Sequence, residues 1–265
     1  MTADTSILVD TRSGYRVITL NRPDKLNAFN EAMHLALRKA IDDAEADESC
    51  CALLITGAGR GFCTGQDLSD RLAKPGETVA LGAAQETYYN PLVRRLRSAP
   101  FPVVAAVNGV AAGAGCNIAL ACDIVIASLK AKFIQSFARV GLIPDSGGTW
   151  FLPRLVGDAR ARGLALLAQD LPAEKAANWG LIWRAVEDEV LMYEATRICE
   201  HFAMAPTQGL ALTKQALNAS ATNSLDAQLD VERNLQRAAS MTPDYAEGVR
   251  AFMEKRKATF TGRKK

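Results

Sequence analysis

The chain has 265 residues, with 31 Lys+Arg against 29 Asp+Glu, a formal net charge of +2, and 49% hydrophobic residues. That length and composition fit one large domain, or a domain with a smaller appendage, able to bury a core without staples. The even charge balance excludes nucleic-acid binding by bulk electrostatics and an acidic disordered tail.

The chain opens with two β-rich runs, SILVD and YRVITL, around Ser13-Gly14, which predicts a hairpin. After the loop NRPDKLNAF a helix is expected from Asn30 as N-cap, with Met33, Leu37, Ala40, Ile41 and Ala44 on one face. CALLIT at 51–56 reads as a buried strand, followed by the glycine-rich GAGRGFCTGQDL. Segment 70–90, mixed and polar around Pro75-Gly76, reads as the mobile piece of this half and as a wall of any pocket. VVAAV at 103–107 and DIVIA at 123–127 are further strands, separated by NGVAAGAG and the helix-like CNIALAC. The 25 uncharged residues from Ser98 to Cys122 are long enough to span a bilayer, but prolines, glycines and asparagines break them, so a buried strand, loop and helix is expected. From Asp158 onward the pattern turns helical, in segments 158–168, 173–179, 187–204, 206–218, 225–240 and 243–257. Alternating strands and helices give an α/β class with a helical C-terminal part. The basic ending EKRKATFTGRKK reads as a solvated tail.

Several chemistries are excluded at once. Only His34 and His201 are present, so a multi-histidine metal site is ruled out and a Ser-His-Asp hydrolase would rest on one of two residues. Cys50, Cys51, Cys63, Cys116, Cys122 and Cys199 contain no CxxC pair, and they read as small buried residues of a reducing compartment. The N-terminus has no basic region followed by an apolar run, so no secretory signal is expected.

What remains is two glycine-rich loops, each after a buried strand. One is Gly61–Leu68; the other, Gly109–Gly115, opens a helix. Glycines leave backbone N–H groups uncovered, and a helix N-terminus adds its positive dipole end. Side by side, the loops could aim two N–H groups at one oxygen that becomes negative during reaction; alone, they could equally be two tight turns. The second loop also matches the phosphate loop of short-chain dehydrogenases apart from Asn108, but it lies too late in the chain. The Tyr-x-x-x-Lys pair of those enzymes is missing, because Arg197 follows Tyr193 and Val249 follows Tyr245. Asp145, the sole carboxylate between Lys132 and Gly157, sits in the apolar passage FIQSFARVGLIPDSGG. Such an acid suits proton transfer, or it caps a helix starting near Ser146 or Gly147.

Five motifs in order, NRPDKLNAF, FCTGQDL, NGVAAGAGCNIALACDIVIA, IPDSGGTWFLPRLVG and AFMEKRKATF, carry a resemblance over essentially the whole chain. The sequence resembles the crotonase (enoyl-CoA hydratase/isomerase) superfamily. The resemblance implies a crotonase-like spiral of ββα units over 1–200, with the acyl-CoA site, and a helical trimerisation region over 201–265. It implies an isomerase acting on a coenzyme A thioester, with oxyanion donors at the N–H groups of Gln66 and Ala114 and an acid at Asp145. The two glutamates of the family's hydratases correspond to Asn117 and Phe137, which argues against hydration. Coenzyme A contacts are implied for Lys25, Thr64, Gln66, Asp67 and Leu68. Phe252 and Lys255 add contacts, often from a neighbouring subunit. A homotrimer or dimer of trimers in the cytoplasm is implied, with no metal, no further cofactor, no nucleic acid and no membrane. A general 3,2-enoyl-CoA isomerase, a hydratase with a substituted site, and a silent CoA- or RNA-binding homologue remain the alternatives.

Overall fold

The computed structural model describes residues 5–71 and 81–263. The hairpin forms as expected, β1 (Ile7–Arg12) pairing antiparallel with β2 (Tyr15–Leu20). Helix α1 (Glu31–Ala46) starts at Asn30, whose side chain accepts from the Met33 N–H, and it buries Met33, His34, Leu37, Ala40, Ile41 and Ala44. Strands β3 (Ala52–Gly57) and β4 (Gly61–Cys63) follow. After residues 72–80, which lie outside the described residues and hold part of the expected mobile segment, the chain is helical. There α2 (Leu81–Ala84) and one π-helical turn (Gln85–Tyr89) lead into α3 (Asn90–Ser98). Next come β5 (Val103–Val107), β6 (Val110–Ala112), α4 (Ala114–Ala121), β7 (Ile124–Ser128) and β8 (Lys132–Ile134). Helices α5 (Gly148–Val156) and α6 (Asp158–Leu167), β9 (Leu171–Pro172), α7 (Ala173–Asn178) and β10 (Arg184–Val186) complete the α/β part. Four helices close the chain: α8 (Leu191–Ala203), α9 (Thr207–Ser220), α10 (Leu225–Ser240) and α11 (Pro243–Met253).

Two sheets result, ordered β1-β2-β3-β5-β7-β10 and β4-β6-β8-β9. Pairing is parallel except at β1–β2 and β8–β9. The pairs β3–β4, β5–β6 and β7–β8 each give one strand to each sheet before a helix returns the chain, which is a spiral of ββα turns. Three strands go beyond the sequence reading: β4, β6 and β8 are each three residues long, too short for a periodic signal. Two more strands fall in the gaps between the helical segments expected after Asp158. β9 and β10 return to the two sheets, β10 running parallel to β7.

The large sheet is buried on both faces, so its central strands read as continuous apolar runs. Alternate residues go opposite ways. Leu53, Ile55, Val103, Ala105 and Val107 face the main core, while Leu54, Val104, Ala106 and Ile126 meet Leu191, Ala195 and Cys199 of α8. Helix α9 docks through a buried ion pair. Lys214 Nζ donates to Asp123 Oδ2 at 2.7 Å and to the Leu96 carbonyl at 2.7 Å, and the same carboxylate oxygen takes the Val103 N–H at 2.8 Å. Burial pushes the Lys214 ammonium down and the Asp123 carboxyl up, each opposed by its partner.

The basic ending is anchored at Arg256, Thr261 and Arg263, which corrects the solvated-tail reading for its described residues. Arg263 donates to the carbonyls of Ala44, Asp47 and Cys50, placing a cation on the orphan carbonyls at the end of α1. Arg256 pairs with Glu247, and Thr261 bonds Asp244. All six cysteines are free and buried. Among the described residues, no helix is long and apolar enough to cross a membrane, and no cluster of His, Cys, Asp and Glu could hold a metal ion.

His34 lies buried between Phe29 and Tyr88, with ring centroids 4.5 and 5.0 Å away, and its Nε2 has no hydrogen-bond partner among the described residues. Burial, aided by Arg38, lowers its pKa from the ordinary 6.5 to about 4. The fold therefore favours the neutral ring. Its contribution is complete above pH 6.5 and is lost as pH falls from 6.5 towards 4, where the folded state also takes the proton. The stability of the parent minus that of His34→Phe should fall by about 3 kcal/mol over this window; denaturant titrations at pH 7 and pH 4 measure the difference.

Candidate active site

The loop 21–29 and the loop after β3 are knitted by buried polar groups. Fully buried Asn27 accepts from the Arg22 N–H and donates to the carbonyls of Ala58 and Gly61. Arg22 pairs with Asp67 at 2.9 Å, and Ser69 donates to the other carboxylate oxygen from both its hydroxyl and its N–H. The Ser69 hydroxyl first, then Arg22, hold the Asp67 carboxyl below the usual range. Asp67 thus spends its charge inside the protein. Thr64 backs onto the carbonyls of Lys25 and Leu26, while Lys25 and Leu68 are exposed beside it.

Gln66 bridges Phe29 in parallel: the Phe29 N–H donates to Gly65 O at 2.6 Å and the Asp67 N–H to Phe29 O at 2.9 Å. Successive N–H groups of an extended segment point to opposite sides, so that of Gln66 turns away from Phe29. On that other side begins α4. Gly65, at φ +85°, has no room for a side chain, because a Cβ there would stand 3.0 Å from the Ala114 N and 3.1 Å from the Ala112 O. The structure therefore brings together the two glycine-rich loops and, with them, Gln66 and Ala114.

Ala114 is the first residue of α4, and no side chain caps that helix. Its N–H is among the four that a helix leaves without an intrahelical partner. The left-handed turn falls on Gly113, at φ +54°, so alanine at 114 meets ordinary helical geometry. Every residue of α4 is buried, as expected for a helix apolar on all sides. Gly115 lets it lie against β4, since a Cβ there would come within 2.3 Å of the Cys63 carbonyl. Burial pushes the Cys63 and Cys116 thiols up to about 12, which keeps both neutral and unreactive.

Asp145 precedes α5 on a strained turn, with Ser146 at φ +50° and Gly147 at φ +85°. The capping alternative does not hold. The N-cap is Gly147, which has no side-chain cap bond, and only the backbone carbonyl of Asp145 accepts from the Gly148 N–H. Its half-buried carboxylate instead accepts from Gln85 Nε2 at 2.8 Å and from Ser146 Oγ at 2.9 Å. The surroundings are thus partly polar, unlike the apolar enclosure that the local sequence suggested.

The two positions matched to hydratase glutamates have other work. Asn117, fully buried, donates from Nδ2 to the Asp145 carbonyl at 2.8 Å and accepts from Gln135 Nε2 at 2.8 Å. The Phe137 ring is buried near the loop, its Cζ 3.8 Å from where a Gly113 Cβ would stand. Tyr89 donates to Gln66 Oε1 at 3.1 Å, from the π-helical turn that also carries Gln85. Sequence reasoning missed Gln85, Tyr89 and Gln135, which belong to no motif. Phe252 and Lys255 are placed apart from this group, with the C-terminal helices; Phe252 lines an apolar groove with Pro206, Tyr245, Val249 and Phe260.

The chain matches the family model Enoyl-CoA hydratase/isomerase over residues 10–263. It is 54% identical over 258 residues to the 1,2-epoxyphenylacetyl-CoA isomerase of Escherichia coli (strain K12), covering 97% of this chain and 98% of that one. It is 36% identical over 259 residues to the trans-2-decenoyl-[acyl-carrier-protein] isomerase of Streptococcus mutans, covering 97% and 98%. Its fold superposes on the crystal structure of an enoyl-CoA hydratase from Bacillus anthracis with a TM-score of 0.91 at 30% identity, covering 97% of this chain and 100% of that one.

Replacing Asn117 by the similarly sized Leu removes both of its amide bonds. Asn117→Leu should therefore cost about 1–3 kcal/mol, measured as a lower urea midpoint at unchanged slope.

Proposed function

The chain belongs to the enoyl-CoA hydratase/isomerase family, and from that premise we propose that it converts ring-1,2-epoxyphenylacetyl-CoA to the seven-membered oxepin-CoA. By the same chemistry it shifts 3,4-double bonds of acyl-CoA thioesters to the 2,3-position. The observation that carries this reading is Asp145, the sole carboxylate between Lys132 and Gly157. Hydration needs one group to activate water and another to manage the α-proton, whereas Asn117 and Phe137 supply neither. Isomerisation needs a single group that takes a proton and returns it elsewhere, which Asp145 can do. The 54% identity to an isomerase of this kind supports the same reading.

In the proposed reaction the thioester oxygen accepts from the N–H groups of Gln66 and Ala114. These bonds strengthen as the α-carbon loses its proton and the oxygen gains charge, which is the differential stabilisation that catalysis needs. Asp145 holds the proton between its two sites. The product is an isomer of the substrate, so no oxidant or reductant is consumed, and we assign no cofactor besides the coenzyme A of the substrate. Lys25 and Thr64 to Leu68 form the coenzyme A side, with Asp67 acting through the loop shape it fixes by Arg22 and Ser69. Six buried free thiols support a cytoplasmic setting.

We further propose a homotrimer or dimer of trimers. Leu225, Met241, Phe252 and Met253 are each at least 74% exposed on the C-terminal helices, which is expected of a surface awaiting a partner. Phe252 and Lys255 would then reach the coenzyme A of a neighbouring subunit. Light scattering at micromolar concentration should return a trimer or hexamer mass; a monomer overturns both the assembly and that cross-subunit role.

Asp145→Asn tests the chemistry. The variant should lose about 10²–10⁴-fold in kcat with little change in KM, because the oxyanion donors and coenzyme A contacts stay in place. Isomerisation of the epoxide and of a linear 3,4-unsaturated acyl-CoA, with deuterium uptake from solvent, provides the measurement. Retained turnover rejects Asp145 as the acid.

A further inference from the structure

Gln85 opens the π-helical turn that leads into α3. While its Nε2 donates to Asp145 Oδ2 at 2.8 Å, its Oε1 is buried without a hydrogen-bond partner among the described residues. A buried amide oxygen left unpaired is costly and uncommon. Here it belongs to the same planar group that grips the carboxylate. Both contacts of that carboxylate from the described residues are neutral: Gln85 on Oδ2 and the Ser146 hydroxyl on Oδ1. The amides of Asn117 and Gln135, also neutral, stand behind the backbone of the same turn. π-helical turns within α-helices are frequent at functional sites.

Resting on the isomerase reading above, we propose that Gln85 is the positioning residue of Asp145, its amide serving the acid in both protonation states. As a carboxylate, Asp145 can only accept, and Nε2 donates to it. When the α-C–H bond breaks, the proton forms an O–H bond on Asp145 and the electron pair stays with the substrate, delocalised onto the thioester oxygen. Asp145 now carries a donor. Half a turn of the Gln85 amide presents Oε1 to that O–H, so the acid keeps a partner and its orientation while the enolate waits. Return of the proton to another carbon of the conjugated system breaks the O–H bond and restores the carboxylate. Nothing is oxidised or reduced. The oxygen that has no partner in the carboxylate state is the one the protonated state uses.

Gln85→Leu and Gln85→Glu in the full-length enzyme test this, with a 3,4-unsaturated acyl-CoA as probe and kcat, KM and the pH dependence of kcat/KM as readouts. Gln85→Leu should lower kcat about 10–100-fold, the rate equivalent of one hydrogen bond to a charged group, with KM within about twofold. The acidic limb of its profile should move to higher pH, because the charged carboxylate loses more with its donor than the neutral acid loses with its acceptor. In Gln85→Glu the limb should move further, since a second carboxylate opposes ionisation; this variant also decides the matter should the Leu variant fail to fold. An acidic limb unmoved in Gln85→Glu overturns the proposal whatever the rate. The double variant Asp145→Asn/Gln85→Leu should be no slower than Asp145→Asn alone, and a multiplied loss likewise overturns action through Asp145. If Asp145→Asn itself turns over at the parental rate, Asp145 falls as the acid and the role of Gln85 falls with it. If Asp145→Asn is slow while both Gln85 variants keep the parental limb, only the role of Gln85 falls.

Discussion

The site depends on one close approach. Gly65 stands so near the first turn of α4 that a methyl group there would meet the Ala114 nitrogen at 3.0 Å. Everything around that contact serves to hold it. The Phe29 bridge fixes Gly65 and Asp67 from one side, and the Arg22–Asp67 pair locks the loop to the segment before α1. On the other side the glycine at 115 lets an entirely buried helix press against β4. The proposed backbone donors are therefore set by packing between strands of one sheet and a helix that follows another strand of it. Side chains at 66 and 114 matter less than the room at 65 and 115, which is why alanine serves at 114.

This explains what could be read in advance. Strands β2, β3, β5 and β7 are apolar runs flanked by turns, and α1 carries both a cap and a clean helical face, so each was visible as local pattern. The two glycine-rich loops were visible for the same reason, although their spacing alone left a backbone-built site and two tight turns equally open. The second sheet was hidden because β4, β6 and β8 contribute three residues each, and Gly61 and the alanines at 111 and 112 carry no β signal. Gln85 lay in a polar stretch without periodicity, and nothing in its neighbours tells of a partner sixty residues away. The anchoring of Arg263 was equally out of reach, because it depends on the end of α1 lying beside the end of the chain. Contacts between distant segments leave no trace in local pattern.

The turn that carries Asp145, the proposed acid, is held against the conformational preference of Ser146. Ser146 adopts φ +50°, a region that costs an ordinary residue of order 1–3 kcal/mol. The turn persists because the Asp145 carbonyl takes two donors, from Asn117 and Gly148, and its carboxylate takes two more. A helix cap at 145 would have given up this arrangement, since the carboxylate would then have pointed at the first N–H groups of α5. Here Gly147 starts the helix uncapped, and the carboxylate is left to face Gln85.

In the proposed reaction the two ends of the chemistry are supported by different physics. The oxyanion side is backbone, fixed by steric closeness that no rotamer can relax, and it suits a charge that always develops at the same atom. The acid side is a chain of neutral amides, Gln135 to Asn117 to the Asp145 backbone, with Gln85 on the carboxylate itself. Amides both donate and accept, and they add no charge that would bias a group required to gain and lose a proton in each cycle. An ammonium or guanidinium at the position of Gln85 would hold the carboxylate more tightly, yet it would oppose the protonated state through which the reaction must pass. Neutral partners leave the acid anchored in place and able to change its charge.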